Sequence, residues 1–477
     1  MDLLLQYKLD DFLLGTRDMK PEVRRRETLL FLKNYHQEED QRIYQAHREG
    51  ALGIVVLNRY SDEIDILIQT IYRLASREMK EQGKDIEPVA ILACGGYGRR
   101  EMSPYSDIDI NFLFADELTE TMGDLATLIL HYLWDMGFDL GHSLRSIKDC
   151  LAFAQEDLAS QTSIMESRLV IGESSLFEQL KTNLNDTVIR IRMNSYIKGK
   201  YHEMEERHQH HGNSIYHLEP NLKNGVGGLR DIQTALWIAQ ARFGVRNLDE
   251  LQEIGVISEM ESLEIRTTLD FLWRIRNDLH FTARRKQDVL SFQYQPLVAE
   301  HLGFHEDLSG DPIEHLMQEY YRTARHIKEY SQIIINRCFP PSAKRSMYQN
   351  SHMQITPGLF QMDGAIQIDE AGSAKLDPAL ILRAFHEIQR RNIHLSIQAK
   401  TLIRKKLKQL DSQDFLDSEA REIFLDMLME RGNLNLALHE MHELGVLEKL
   451  IPEFAGLNCL VRHDNDVIIE SRYGFAD

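Results

Sequence analysis

The spacing of apolar and polar positions changes period several times along the chain, and each change marks an element. Residues 1–88 read as helical, and within them Ile64, Leu67, Ile68, Ile71 and Leu74 recur at the spacing of one helix face, with Asp62 as the expected N-cap. From Val89 to Cys94 the pattern becomes a short unbroken apolar run that stops at Gly95-Gly96, which predicts a buried strand. Ile108 to Phe114 predicts a second strand, 122–136 a helix closed near Gly137, and 138–147 a third strand containing His142. Asp149 to Gly172 predicts a return to helix, with Leu169, Val170 and Ile171 at its end. Ile215 to Leu222 can be extended and leads through Gly225, Gly227 and Gly228 into a helix stopped by Gly244. Residues 261–290 predict one long helix and 313–335 another. Beyond Pro340-Pro341 the segment 359–368 alternates about Asp363-Gly364, the pattern of a tight hairpin, and Pro378 opens a helical tract to about residue 450.

Strands grouped early and helices around them predict an α+β fold. The expected organisation is a helical segment over 1–88, a catalytic core over 89–245 with a helical insertion, a helical domain over 246–340 packed on that core, and a hairpin plus helices over 341–477. Hydrophobic content of 43% leaves ample material for cores of this number. A formal net charge of −19 argues against bulk nucleic acid as the main partner, because phosphate contacts need a basic surface. The four cysteines are scattered without C-x-x-C spacing, which fits a reducing compartment. The start, MDLLLQYKLDDFLLG, is too short in its apolar run and too acidic for a signal peptide, so a cytoplasmic protein is expected.

The chemistry concentrates in two stretches. In an extended chain residues two apart face the same side, so Asp107 and Asp109 present two carboxylates together while Ile108 and Ile110 point away. Two hard anionic ligands beside a glycine turn suit Mg²⁺ carrying nucleotide phosphates. Singly, an Asp-x-Asp pair and a Gly-Gly pair are ordinary turn chemistry. Their joint order (strand, Gly-Gly, basic residues, Ser-Asp-x-Asp, strand) resembles the nucleotidyltransferase fold of the DNA polymerase β superfamily. The second stretch is LEPNLKNGVGGLRD, where Glu219, Lys223, Arg230 and Asp231 surround the glycine turn. The histidines at 202, 208, 210 and 211 lie in a wholly polar segment and read as a solvated helix end before they read as a metal site. The basic run Arg284, Arg285 and Lys286 is explained by the dipole at a helix C-terminus.

Taken together, GGYGRREMSPYSDIDI, YLWDMGFDLGHSLRS, LEPNLKNGVGGLRDIQTALWIA, FLWRIRNDLHFTARR and GVLEKLIPEF resemble the nucleotidyltransferase half of bacterial PII-protein uridylyltransferase/uridylyl-removing enzymes. The resemblance runs across nearly the whole chain. It implies that UTP is the substrate, that Mg²⁺ is the cofactor in a two-metal site, and that a tyrosine of a PII-type nitrogen-signalling protein is the acceptor. Carried over, Gly95 and Gly96 would cradle the triphosphate, Asp107 and Asp109 would hold the metals, and Arg99 and Ser106 would add phosphate contacts. Lys223, Gly227, Gly228, Arg230 and Asp231 would complete the nucleotide site. A third carboxylate is expected on a later strand; Glu219 is the first candidate for catalysis and metal binding, with Asp231 and Glu166 as alternatives.

The resemblance also implies an HD-type hydrolase and ACT domains after the IPEF segment. The match fades past His463-Asp464, so uridylyl removal and glutamine sensing are not expected within these residues. Two other readings stay open: a protein adenylyltransferase, since the motifs do not fix the base, and a catalytically silent nucleotide-binding regulatory module.

Overall fold

The computed structural model describes residues 19–305, 311–339, 353–362, 365–369 and 376–453, with Phe12, Gly15 and Thr16. It divides into two compact units, Met1–Ile334 and Ile335–Asp477. The segments expected as three domains before residue 334 therefore cluster as one unit.

The first unit opens with two long helices, α1 (Pro21–Arg48) and α2 (Gly53–Glu81). The second begins nine residues before the expected N-cap, so Asp62 is a mid-helix side chain that pairs with Arg100. Its predicted stripe is nonetheless the buried one: Ile64, Leu67, Ile68 and Ile71 are each 1% exposed or less. Next come β1 (Ala90–Ala93), a single helical turn α3 (Gly95–Gly98), β2 (Ile108–Phe114), α4 (Glu120–Met136) and β3 (Leu140–Ser146). Gly137 ends α4 in the left-handed region at φ +96°, as its place after the last apolar turn predicts.

The stretch expected to continue as helix to Gly172 breaks into α5 (Ile147–Glu156), α6 (Leu158–Glu166) and a strand, β4 (Arg168–Gly172). Leu169–Val170–Ile171 belongs to that strand. Its β-branched residues fit a pleated surface, and the free edge of β1 offers a partner that local periodicity cannot reveal. The sheet order is β3-β2-β1-β4, with β1 antiparallel to both neighbours and β2 parallel to β3. Along β1, Ile91 and Ala93 enter the core shared with α1, α2 and α4, whereas Ala90 and Leu92 enter the core on the other face with Ile147, Cys150 and Leu180.

Helix α7 (Ser174–Leu184) runs through a π-helical turn at Asn185–Ile189 into α8 (Arg190–His210), which holds the histidine-rich stretch. Residues 215–222 form bends, with Asn221 making an isolated bridge to Val289, and not the expected strand. Pro220 has no N–H to donate, and the edge beside β1 is already taken by β4. Helix α9 (Leu229–Phe243) follows the glycine turn, α10 (Leu248–Glu253) is short, and α11 (Glu259–Ala283) starts at a Ser258–Glu261 capping box. It stops seven residues before the expected end, because Arg284 takes a left-handed conformation at φ +52°. Helices α12 (Gln295–His301) and α13 (Pro312–Cys338) complete the described helices around this unit.

The second unit holds a four-stranded sheet of β5 (Met353–Thr356), β6 (Leu359–Met362), β7 (Ala365–Ile368) and β8 (His394–Leu395), the outer two of which the sequence pattern did not predict. Met362 pairs with Ala365 across the predicted hairpin, whose Asp363-Gly364 turn lies outside the described residues, as do His463 and Asp464. The helix Pro378–Arg391 supplies much of its core through Ile381, Phe385 and Ile388. Among the described residues no helix is long and apolar enough to cross a membrane.

Candidate active site

The turn after β1 and the start of β2 open on one wall of a cavity of ≈ 410 Å³. Gly95, Gly96, Arg99, Ser106, Asp107 and Asp109 all line it, so the first stretch singled out in the sequence is brought together. Lys223 and Arg230 line it too, from the far side of the chain. Of its wall residues seven are Lys or Arg and five are Asp or Glu, an excess of positive charge inside a strongly acidic chain.

Asp109 is placed by two glycines. A Cβ on Gly95, which sits at φ +56°, would lie 2.6 Å from Asp109 Oδ2, and one on Gly141 would lie 2.2 Å from Oδ1. Gly141 is the β3 residue directly across from Asp109 in the parallel register. The bracketed carboxylate has no hydrogen-bond or salt-bridge partner among the described residues, and burial, followed by the neighbouring charge of Asp107, pushes its pKa up. Asp107 is held differently. Lys286 Nζ donates to both of its oxygens at 2.6 and 2.7 Å, and although burial works the other way, this ammonium keeps the Asp107 carboxyl below its usual range.

Helix α11 fixes that meeting. Arg276 donates to Ser103 Oγ at 2.8 Å and to Asp288 Oδ1 at 2.7 Å, and the buried His280 pairs with the Pro104 carbonyl at 2.5 Å. One helix thus ties the loop before Asp107 to the segment after Lys286. The last residue of the basic run read in the sequence as an answer to the helix dipole, Lys286, therefore reaches the site, and its approach to Asp107 from 179 residues away left no local signal.

A second network lies behind the Gly95 turn. Arg99 donates to Glu101 and to Glu166, both at 2.8 Å, and Trp237 Nε1 donates to the same Glu166 oxygen at 2.7 Å. Burial opposes the Arg99 charge, but Glu166 and Glu101 outweigh it and raise its pKa. Arg99 is therefore already engaged with carboxylates. Gln233 donates to Glu101 at 2.7 Å, which leaves Gln233 Oε1 buried without a partner. Trp237 carries Arg99, Lys200 and Arg230 within 5.6 Å of its ring centre. Neither Lys223 nor Arg230 has a side-chain hydrogen bond or salt bridge among the described residues. Burial first, then Arg276, pulls Lys223 down to about 8, and burial with Arg99 pulls Arg230 down to about 10.

The remaining expected residues lie elsewhere. Glu219 is exposed, outside the cavity, and accepts the Phe292 N–H at 2.9 Å, because the strand meant to carry it does not form. Gly227 and Gly228 are behind the wall: a Cβ on Gly227 would lie 2.2 Å from the Ala324 carbonyl oxygen, so the turn admits another backbone and not a ligand. The Gly227 amide is spent on Asp231, which is 1% exposed and also accepts from Arg207 at 2.7 Å and pairs with His208 at 2.8 Å. Against burial, His208 and Arg207 hold the Asp231 carboxyl below its usual range. Of the candidate third carboxylates only Glu166 lines the cavity, and its Oε2 already has two donors. Among the described residues no three His, Cys, Asp or Glu side chains are placed to hold a metal ion. What fits a hard divalent cation is the pair Asp107 and Asp109, in particular the unpartnered carboxylate of Asp109 in its glycine cradle.

Residues 195–335 match the family model described as GlnD PII-uridylyltransferase, 360–450 match the uridylyltransferase GlnD third domain, and 39–142 match a putative nucleotidyltransferase, DUF294. A bifunctional uridylyltransferase/uridylyl-removing enzyme of Rhodospirillum rubrum is 31% identical over 422 residues, 87% of this chain and 45% of the relative. Its counterpart in Cereibacter sphaeroides is 34% identical over 383 residues, 79% of this chain and 41% of the relative. The chain thus spans somewhat under half the length of these relatives.

Proposed function

We propose, from the premise that this chain belongs to the PII-uridylyltransferase family, that it transfers UMP from UTP to a tyrosine of a PII-type signalling protein with the help of Mg²⁺. The observation behind this reading is the unpartnered Asp109 carboxylate beside Asp107 in a cavity otherwise rich in cations. A divalent ion held by these two carboxylates would supply charge neutralisation on the triphosphate and a template for in-line displacement. Lys223 and Arg230, half-buried cations with no side-chain hydrogen bond or salt bridge among the described residues, bind phosphate oxygens. Lys286, donating to both oxygens of Asp107, keeps that carboxylate oriented at the cavity wall. The Arg99–Glu166–Trp237 network holds the Gly95 turn rigid behind them. The acceptor oxygen forms a bond to the α-phosphorus as the bond to the β-phosphate oxygen breaks. Pyrophosphate leaves and the hydroxyl proton passes to solvent. Catalysis on this reading is positioning and electrostatics.

The test is incubation of the full chain with α-labelled UTP, Mg²⁺ and a PII protein, with labelled ATP in a parallel arm. Label should pass to the acceptor from UTP in preference to ATP, and Asp107→Ala with Asp109→Ala should abolish it. Labelling that survives the double substitution refutes the site assignment, and preference for ATP replaces uridylyl by adenylyl transfer.

A further inference from the structure

A second cavity, of ≈ 510 Å³, is lined by Ser103, Tyr105, Ser106 and Ile108 from the segment around Asp107. It is a neighbour of the first and not a remote cleft, since both have Met102, Ser106 and Lys286 in their walls. Its floor is aromatic and apolar, from Tyr60, Ile64, Tyr105, Met136 and Phe138. Three consecutive cations, Arg284, Arg285 and Lys286, stand at its edge. The side chains of Arg284 and Arg285 are exposed and have no hydrogen bond or salt bridge among the described residues. The anions facing the same space are Asp40, which accepts from the Tyr60 hydroxyl, and Asp139, while His36 is tied to Glu63 at 2.5 Å.

A helix C-terminus favours cations, which accounts for the residue type here but not for a cationic edge on an aromatic-floored cavity. Two residues of this junction, Tyr105 and Arg284, also hold left-handed backbone at φ +58° and +52°, a conformation that a non-glycine residue keeps only where its surroundings impose it. A two-substrate transfer with in-line geometry needs the incoming hydroxyl and the departing pyrophosphate on opposite sides of the phosphorus. The cavity with Lys223 and Arg230 has the cations for the triphosphate; the second cavity adjoins it at Met102, Ser106 and Lys286.

We propose that the second cavity is the acceptor subsite. It takes a protein loop whose hydroxyl-bearing aromatic side chain enters over Tyr105 toward Ser106, and whose flanking carboxylate meets Arg284 and Arg285. This rests on the transfer reading above. A volume of ≈ 510 Å³ is in the range of pockets that enclose a ligand the size of such a side chain and its neighbours.

The experiment is steady-state UMP transfer from Mg²⁺-UTP to a PII protein by the full chain and by the Arg284→Glu/Arg285→Glu double variant, with UTP binding measured separately by calorimetry. Both residues are exposed, so the fold should persist, and the Arg284→Lys/Arg285→Lys variant checks that charge is what matters. The charge reversal should raise KM for the acceptor by about tenfold or more, leave UTP binding unchanged, and show a KM that climbs with salt in the wild type; the Lys pair should behave as wild type. An unchanged acceptor KM, or an equal loss in UTP binding, overturns the acceptor subsite while leaving the transfer reading standing. A wild-type chain that labels no acceptor overturns both.

Discussion

Replacing Gly141 by alanine should disable the site without unfolding the protein. A Cβ there would lie 2.2 Å from Asp109 Oδ1 and 3.4 Å from its Cγ, and Gly95 blocks the opposite side, where its own Cβ position is 2.6 Å from Oδ2. Ordinary contact begins near 3.4 Å, so the carboxylate must move by about 1.2 Å, and misplacement on that scale costs on the order of 100-fold in rate. That is about 2.7 kcal/mol in the barrier. The cost in stability should be smaller, within about 1 kcal/mol, because Asp109 is only half-buried and its side chain can turn into the cavity. Gly123 on α4 is the control: nothing lies within 4 Å of its Cβ position, so Gly123→Ala should add about 0.5–1 kcal/mol of helix stability and leave transfer untouched. Initial rates of UMP transfer and urea denaturation of the three proteins decide the matter. If Gly141→Ala keeps wild-type kcat/KM, then Asp109 is either not set by β3 or not needed for the reaction.

Two further outcomes separate structural from ligand-binding roles. Asp231→Ala removes the one carboxylate shared by Arg207, His208 and the Gly227 amide, and should lower the unfolding free energy by about 3–5 kcal/mol in urea titration. A stable Asp231→Ala protein with weakened nucleotide binding would instead make Asp231 a ligand contact. Lys223, pulled down to about 8, is charged below that pH and neutral above it in the free protein. Affinity for the UTP anion should therefore fall as pH rises through 8, by calorimetry between pH 7 and 9, and the Lys223→Arg variant should lose that dependence; a flat wild-type profile would exclude Lys223 from the phosphate site.

Period-two reasoning found Asp107 and Asp109 because one strand places both, and the information needed is entirely local. The glycine across from Asp109 was not legible: nothing in FDLGHS ties Gly141 to a residue 32 positions earlier, and only the parallel pairing of β2 with β3 does so. The same limit explains Lys286, which reads as a helix-end cation until α11 and the Ser103, Pro104 and Asp288 contacts carry it to Asp107. Glu219 was expected in the site because an ionisable residue before a glycine turn looks like strand-borne chemistry. Pro220 and the occupied edge of β1 are reasons in the tertiary structure why no strand forms there. Gly227 and Gly228 show that a glycine turn can exist for backbone against backbone, the Ala324 carbonyl for the first and the Leu222, Lys223 and Gly225 carbonyls for the second, as readily as for backbone against phosphate.

The sign of the chain and the sign of its cavity oppose each other, and distance decides between them. A net charge of −19 disfavours any anionic ligand at long range, but charges beyond about 8 Å are largely screened at physiological ionic strength. Inside the cavity, unit charges a few Å apart at an effective dielectric near 20 interact by about 4 kcal/mol, so the seven cations and five carboxylates of its wall outweigh the distant charges. Both cations hold their charge against burial without a hydrogen bond or salt bridge among the described residues, although Asp288 favours the charge of Lys223 and Glu166 and Glu101 that of Arg230, and a bound phosphate would offset what burial costs them. Arg284 and Arg285 stand on exposed surface, where water screens them and their pull is weaker and more sensitive to salt. On the proposed reading, that difference in burial would give tight binding of a small anion and loose, salt-sensitive docking of a protein, which a transferase that must release each modified acceptor before taking the next requires.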